Sequence, residues 1–368
     1  MRESGAALEY NGNPLGAWMG EWPRVITVHD LYLETMPDAY ARRHRWAWNM
    51  IFPFITRSAG RIIVPSTSTK KDLLRNHPGN IDKISIVPEA PAFAEDGGAG
   101  LPPLSGRFGL MVGNLSPNKN PAAVVEALAI LASRGIKIPI LHIGRDERNL
   151  LAKACARHPE LAPIKSIGGV DDATLKGAYA HAAFFVNSSL HEGFCLPIVE
   201  AQSFGTPVIA SNRSAIPEVA GDGALLVNPD SHGHLAEAMA LVWTNSNFAS
   251  QLSRRARRNA RRYSWRRTAL MVNGIFDEVA PDLGRARWRD AAVASVPRAG
   301  GRQIAGAGRR WRGLIRLLRG GAASPASMAV AYSTLRCHGA TKWSRENVYP
   351  QTARTCPGAR TAEASCPY

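Results

Sequence analysis

The sequence predicts an α/β protein made of two Rossmann-like domains that face a cleft, followed by a basic extension. Short apolar strands alternate with amphipathic helices over most of the chain, which is typical of parallel sheets covered by helices on both faces. A segment rich in Pro, Gly and Ala, residues 89–106, separates two such runs and is interpreted as a linker. Basic residues are concentrated after residue 250, whereas the preceding part of the chain is close to neutral.

The first domain, residues 1–88, is predicted to contain three strands and two helices. The strands are short apolar runs, and the first helix is rich in Trp and Arg. In chain order we expect strand Arg24–Val28, helix Asp38–Ser58, strand Arg61–Pro65, helix Ser68–Asn76 and strand Lys83–Pro88.

The second domain, residues 107–280, repeats the alternation at greater length. Strands are predicted at Phe108–Val112, Ile138–Ile143, Ile164–Ile167, Ala183–Asn187, Pro207–Ala210 and Ala224–Val227. Helices are predicted at Pro121–Ser133, Glu147–Arg157, Asp172–His181, Pro197–Phe204, Ser231–Thr244, Asn247–Tyr263 and Trp265–Val279. Ligands of such sheets bind beyond the carboxyl ends of the strands, so we expect the site in the cleft.

The net charge of +16 belongs to the carboxyl-terminal part of the chain. Residues 1–249 hold 22 Lys and Arg against 23 Asp and Glu, whereas residues 285–368 hold 15 against 3. This distribution favours a basic appendage over a nucleic-acid-binding groove. Residues 281–368 have no sustained period, and we expect them to be disordered. Within them, Arg309–Arg319 has two interpretations: a solvated helix, which we favour, or a peripheral attachment to an anionic membrane surface.

Several protein classes are excluded by what the sequence lacks. It has no run of eighteen apolar residues, and the first twenty residues lack the apolar core of a signal peptide. Its five cysteines form no CxxC pair, and this odd, sparse count fits a reducing cytoplasm and argues against a disulfide scaffold or a zinc ribbon. It has no GxGxxG or P-loop motif, and no spaced carboxylates that predict a metal site.

The densest group of candidate functional residues lies in Asn187–Ala201, where a strand ends and a helix begins. Helix N-termini at this edge of a sheet bind phosphates, and Gly193 allows a close backbone approach. Glu192 lies in the loop, and Glu200 lies in the helix, where its carboxylate can accept hydrogen bonds from two ribose hydroxyls. The alternative is that Glu200 is a solvent-facing helix residue.

Two further segments end strands at the same cleft. In Val112–Asn120, a turn at Gly113 and Asn114 leads to Lys119, which can neutralise a phosphate or can simply be an exposed lysine. His29 follows the first strand and can donate to a sugar hydroxyl, although a lone histidine is more often structural.

The segment EGFCLPIVE, residues 192–200, resembles the E-x7-E signature of retaining group-1 (family 4) glycosyltransferases, which have the GT-B fold. The resemblance extends from about Arg24 to Val279 and includes VGNLSPNKN, RIIVPSTSTKKDL and KISIVPEA. It implies transfer of a sugar from a nucleotide sugar to a saccharide or lipid-linked acceptor in the cytoplasm, with no obligatory metal. The subgroup resembles mannosyltransferases that use GDP-mannose to build surface polysaccharide.

The resemblance also assigns roles to the residues at the cleft. Glu200 would bind the ribose and Lys119 the diphosphate, with Gly113 and Asn114 in the same phosphate segment. Glu192 and the backbone at Gly193 and Phe194 would contact the donor sugar. His29 would lie near the transferred sugar.

The chain departs from the family pattern in three places. Before the VHD strand the family has further βα units, so at ~30 residues per unit roughly 75–90 residues are missing, and residues 1–22 do not replace them. Asn118 stands where Arg or His is frequent, and Cys195 replaces a common Gly. An alternative function is therefore a truncated nucleotide-sugar-binding remnant with impaired catalysis, whereas the long signature argues against a GT-B epimerase.

Overall fold

The computed structural model describes residues 8–14, 23–37, 42–93, 100, 102 and 104–280, which form two parallel sheets. The extension 281–368 lies outside the described residues. The two predictions made for it, disorder and a membrane attachment through Arg309–Arg319, therefore concern residues that the structure does not describe.

The N-terminal sheet has four parallel strands in the order β1-β2-β3-β4. They are β1 (Glu9–Asn11), β2 (Arg24–Thr27), β3 (Arg61–Val64) and β4 (Ile84–Ile86). The connections contain α1 (Tyr32–Thr35), α2 (Arg42–Ser58), α3 (Thr67–Asn76) and a 3₁₀ turn, Pro78–Lys83. Its core consists of branched apolar strand residues packed against α2, as the apolar runs predict.

Strand β1 is a correction to the sequence prediction, which places no strand before Arg24. Glu9 pairs in register with Arg24, and the buried guanidinium of Arg24 donates from Nε to Glu9 Oε2 at 3.1 Å and from Nη1 to Ser58 Oγ at 2.9 Å. The strand is only three residues long and contains no apolar run, so periodicity gives no signal for it.

The C-terminal sheet has six parallel strands in the order β10-β9-β8-β5-β6-β7. They are β5 (Gly109–Val112), β6 (Ile140–Ile143), β7 (Ile164–Ile167), β8 (Phe184–Asn187), β9 (Val208–Ser211) and β10 (Ala224–Val227). The helices are α4 (Pro121–Ser133), α5 (Leu150–Cys155), α6 (Asp172–His181), α7 (Leu196–Ser203), α8 (Ile216–Ala220), α9 (His232–Thr244), α10 (Ser246–Ala260) and α11 (Trp265–Val279). Apolar clusters cover both faces, as a doubly wound sheet requires.

Helix α5 is shorter than the predicted Glu147–Arg157. The carboxylate of Asp146 accepts the N–H groups of Leu150 at 2.7 Å and Leu151 at 2.9 Å, and Asn149 has a left-handed φ of 52°. These features fix the helix start at Leu150, because the side chain of Asp146 takes the place of the missing carbonyls.

The last helix, α11, packs on the N-terminal sheet, although its sequence position groups it with residues 107–280. Ile275 lies in one apolar cluster with Val25, Ile63 and Val87. The Thr268 hydroxyl donates to the carbonyl of Pro88 at 2.7 Å. The chain therefore returns to the first sheet and closes the two halves into one structure.

Candidate active site

A buried carboxylate occupies the loop between β8 and α7. Glu192 is only 4% exposed. Its Oε1 accepts hydrogen bonds from Lys119 Nζ at 2.5 Å and Ser189 Oγ at 2.7 Å, and its Oε2 accepts from the Tyr32 hydroxyl at 2.8 Å. Tyr32 follows a strand of the N-terminal sheet, whereas the other residues lie in the C-terminal half. Glu192 therefore joins the two halves of the cleft.

The partners of Glu192 keep it ionised. Burial alone would raise the pKa of this carboxyl, but the charge and hydrogen bond of Lys119, with the Ser189 and Tyr32 hydroxyls, outweigh burial and lower the pKa below 4.5. Burial and then the charge of Glu192 raise the pKa of Tyr32. The phenol is therefore a stable donor to a stable carboxylate.

Lys119 is positioned by a second loop, which is hydrogen-bonded to the first. It ends a 3₁₀ turn, Pro117–Lys119, and its carbonyl accepts from Ser188 Oγ at 3.1 Å. Asn118, at one of the departures from the family pattern, is buried, and its amide donates to the carbonyl of His191 at 3.3 Å. Asn118 thus links the loop of Lys119 to the loop that carries Glu192.

Gly193 lies where the two halves are in close contact. A β-carbon at this position would lie 1.8 Å from the carbonyl oxygen of His29, so only glycine allows the approach. The carbonyl of Gly193 accepts from the hydroxyls of Ser66 at 2.7 Å and Thr69 at 3.1 Å. The two halves are therefore in contact at the candidate site, and the cleft between them is closed there.

A second contact across the cleft involves the N-terminus of α3. Glu218, in α8, accepts the N–H of Thr67 at 3.0 Å and its hydroxyl at 2.9 Å. A carboxylate suits this position, because the first N–H groups of a helix have no partner within the helix.

His29 is held from both ring nitrogens. Its Nδ1 lies 2.7 Å from Glu89 Oε1, and its Nε2 lies 2.9 Å from the carbonyl oxygen of Gly12. A carboxylate and a carbonyl both accept hydrogen bonds, so this geometry suits an imidazolium that donates from both nitrogens. Glu89 is itself buried, at the start of the predicted linker.

Glu200 lies on α7 and is buried, which rules out the solvent-facing alternative. The Tyr179 hydroxyl donates to its Oε2 at 2.8 Å. Cys195 lies between the two acidic residues of the signature and takes a left-handed φ of 75°, which explains why glycine is common there. Burial, and then the charge of Glu192, raise the pKa of its thiol well above the usual value, so the thiol stays protonated.

The other predicted site residues take part in local structure. Asn114 Oδ1 accepts the N–H of Arg145 at 3.0 Å, and the carbonyl of Gly113 accepts from His142 Nε2 at 2.9 Å, so both fix the turn after β5. The ring of Phe194 packs edge-on against Tyr263 at 5.5 Å. The role predicted for Phe194 is a backbone role, and its core side chain is compatible with that role.

Sequence reasoning missed the residues that orient the two carboxylates and the imidazole of His29. Tyr32 and Ser189 hold Glu192, Tyr179 holds Glu200, and Glu89 holds His29. Only Ser189 has a local signal, because it lies three residues before Glu192 in the same loop. The other three come from distant segments that the fold brings together.

Two features are absent from the ranges that the structure describes. No cluster of three or more His, Cys, Asp or Glu side chains there could hold a metal ion. None of the helices in that part of the chain has the length and apolar character needed to cross a membrane.

Solved structures share this fold. The sucrose-phosphate synthase of Thermosynechococcus elongatus is 21% identical and superposes with a TM-score of 0.63, over 76% of this chain and 75% of the synthase. Anabaena HepE, solved in complex with UDP-glucose, is 17% identical and superposes with a TM-score of 0.60, over 75% of this chain and 79% of HepE. The two parallel sheets are therefore those of the GT-B fold.

Sequence comparisons give the family. O-antigen chain mannosyltransferase B of Escherichia coli is 27% identical to this chain over 262 residues. The alignment covers 66% of each protein, so the chain spans slightly less than two thirds of that relative's length. The family model described as glycosyltransferase family 4 matches residues 12–90, and the model described as glycosyl transferases group 1 matches residues 100–262. The second match contains Lys119, Glu192 and Glu200. With both halves of the fold matched in order, the chain belongs to the group-1, family 4 glycosyltransferases.

Proposed function

We propose that this chain transfers a glycosyl group from a nucleotide sugar to a saccharide or lipid-linked acceptor, with retention of anomeric configuration. The observation that carries the proposal is the ionised carboxylate of Glu192, held at the junction of the two sheets by Lys119 and Tyr32. A buried charge with donors from both halves suits a site that forms when the cleft closes around a polar substrate.

In this proposal each side chain has a role that its chemistry permits. Glu200 accepts hydrogen bonds from the ribose hydroxyls, and Tyr179 orients its carboxylate. Lys119 carries three N–H donors and is one quarter exposed, so it can bind both Glu192 and the diphosphate. There it stabilises the charge that develops on the leaving group, which makes a metal ion unnecessary for that step.

The remaining residues complete the donor site. The backbone at Gly113, Asn114, Gly193 and Phe194 contacts the donor, and Glu192 orients the sugar. Glu89 keeps its contact with Nδ1 of His29, and Nε2 donates to a hydroxyl of the transferred sugar in place of the carbonyl of Gly12.

The proposed donor is GDP-mannose, and the proposed product is a surface polysaccharide. The name of the Escherichia coli relative, O-antigen chain mannosyltransferase B, supports mannose as the transferred sugar and a glycan chain as the product. The structure of HepE holds UDP-glucose, so a uridine donor is the other candidate. Calorimetric titration of the purified protein with GDP and with UDP distinguishes the two bases.

Removal of the Glu200 carboxylate tests the ribose contact. Hydrogen bonds to a charged acceptor contribute ~1.5–3 kcal/mol, so Glu200→Ala should weaken nucleoside diphosphate binding at least about tenfold. Tyr179→Phe is the matched variant: it keeps the carboxylate, loses only the hydrogen bond that orients it, and should have a smaller effect. An unchanged dissociation constant for Glu200→Ala would remove this residue from the site.

A second candidate function is nucleotide-sugar binding with little or no transfer. The described N-terminal sheet has four strands, with a three-residue strand at its edge, whereas the C-terminal sheet has six. An acceptor domain of this size offers fewer loops to hold an acceptor. Release of GDP from GDP-mannose distinguishes the candidates without knowledge of the acceptor. Release above that of a Glu192→Gln variant supports a transferase, and tight GDP binding with no release supports the second candidate.

A further inference from the structure

Helix α2 is firmly attached to the N-terminal sheet by one of its faces. Trp48, Phe52 and Ile55 are buried, and the Trp48 ring stacks on Phe52 at 4.2 Å. The indole Nε1 of Trp48 donates to Glu34 Oε1 at 2.7 Å. These contacts fix the rotation of the helix, and therefore determine which residues its other face presents.

The opposite face of α2 presents a line of large apolar side chains to solvent. Trp46 is 69% exposed, Met50 53% and Phe54 58%. Their spacing of four residues places them along one side of the helix. Six large apolar side chains are exposed among the described residues, and half of them lie on this helix. Such a concentration marks a contact surface, because single exposed apolar residues are ordinarily scattered.

The same face is basic at both ends. Arg42 and Arg43 are exposed at the start of the helix and Arg57 is exposed at its end, and α2 contains no acidic residue. An occupant of this face must therefore accept both aromatic side chains and positive charge. A helix with these properties suits the boundary between headgroups and acyl chains of an anionic lipid surface.

Other occupants fit the charge less well. The extension 285–368 carries 15 basic and 3 acidic residues, so it would be repelled by the arginines. A second copy of this chain, packed on the same face about a two-fold axis, would place Arg42 and Arg43 against Arg57. Neither occupant explains why both ends of the helix are positive.

We propose that α2 is an interfacial helix that lies on an anionic membrane surface. Trp46, Met50 and Phe54 enter the headgroup boundary, and the exposed arginines contact anionic headgroups. The inference does not depend on the proposed function, since it rests on this helix alone.

Vesicle sedimentation of the full chain tests the proposal. We expect binding to vesicles of phosphatidylcholine with phosphatidylglycerol and much weaker binding to phosphatidylcholine alone. The triple variant Trp46→Ser, Met50→Ser, Phe54→Ser should bind the anionic vesicles at least about tenfold more weakly. The double variant Ile81→Ser, Leu270→Ser removes side chains that are 58% and 63% exposed elsewhere, and should bind like the wild type.

Fluorescence quenching locates the contact. Brominated lipids in the anionic vesicles should quench part of the emission of the nine tryptophans, and Trp46→Phe should abolish most of that quenching. Equal vesicle binding by the triple variant and the wild type would overturn the proposal and assign attachment to the basic extension. If the wild type forms a dimer and binds no vesicles, and the triple variant is a monomer, the proposal is overturned in favour of self-association through this face.

Discussion

Replacing Lys119 by methionine will lower the free energy of unfolding at pH 7 by about 3 kcal/mol. The substitution leaves the carboxylate of Glu192 buried without its cation, and breaking a buried ion pair from one side costs about 3–5 kcal/mol. The lower end applies because Lys119 keeps a quarter of its side chain exposed. Urea denaturation measures the change, and the exposed Lys153→Met is the matched control with an expected change near zero.

The loss will depend on pH in a defined direction. In the wild type the pKa of Glu192 is lowered, so its ionised form stabilises the fold above the ordinary value of 4.5, and this contribution is lost as the pH falls. In Lys119→Met, burial raises the pKa of Glu192, and the resulting penalty disappears below 4.5. The difference between the two proteins should therefore shrink from pH 7 to pH 4. The difference from the wild type at pH 7 should also be smaller for the double variant Lys119→Met, Glu192→Gln than for Lys119→Met. A difference that stays the same at pH 4 and in the double variant would contradict a buried ion pair.

Replacing Gly193 by alanine will prevent the closed arrangement of the two halves. The added β-carbon would lie 1.8 Å from the carbonyl oxygen of His29, a backbone atom that cannot rotate away. Relief of the clash requires a displacement of more than about 1 Å, and misplacement of this size reduces turnover by about a hundredfold. The hydrogen bonds from Ser66 and Thr69 to the Gly193 carbonyl will be lost with it.

Two measurements check the effect of Gly193→Ala. Small-angle scattering should show a larger radius of gyration than the wild type, and kcat/KM for donor consumption should fall. Nucleotide affinity should change less, because Lys119 and Glu200 both lie in the C-terminal half. Gly168→Ala is the control, since its added β-carbon meets no atom within 4 Å. A Gly193→Ala protein as compact and as active as the wild type would show that the halves need not approach this closely.

Local patterns in the sequence were enough to predict every described strand of the two sheets except β1. The strands β5 to β10 are apolar runs between helical segments, and such runs are where parallel buried strands form. The same reasoning placed Lys119, Glu192 and Glu200 at one edge, because each follows a strand of the same sheet. The structure brings Lys119 and Glu192 into direct contact, and both acidic residues affect the pKa of Cys195.

The features that were missed depend on contacts between distant segments. Strand β1 is stabilised by the pairing of Glu9 with Arg24, and α11 by apolar contacts with the first sheet, so neither has a local pattern that reveals its position. Tyr32 and Glu89 are ordinary polar residues in the sequence. They become part of the site only because closure brings Tyr32 to Glu192 and the linker turns Glu89 toward His29.

We expect a nucleoside diphosphate to bind between Lys119 and Glu200 on the C-terminal sheet. A crystal structure with whichever of GDP or UDP binds more tightly will show where the nucleotide lies. Its ribose hydroxyls should lie within hydrogen-bond distance of Glu200, its diphosphate oxygens should contact Lys119, and its terminal phosphate should be directed toward Glu192. A nucleotide bound elsewhere, or bound at this edge with neither Glu200 nor Lys119 in contact, would contradict this expectation.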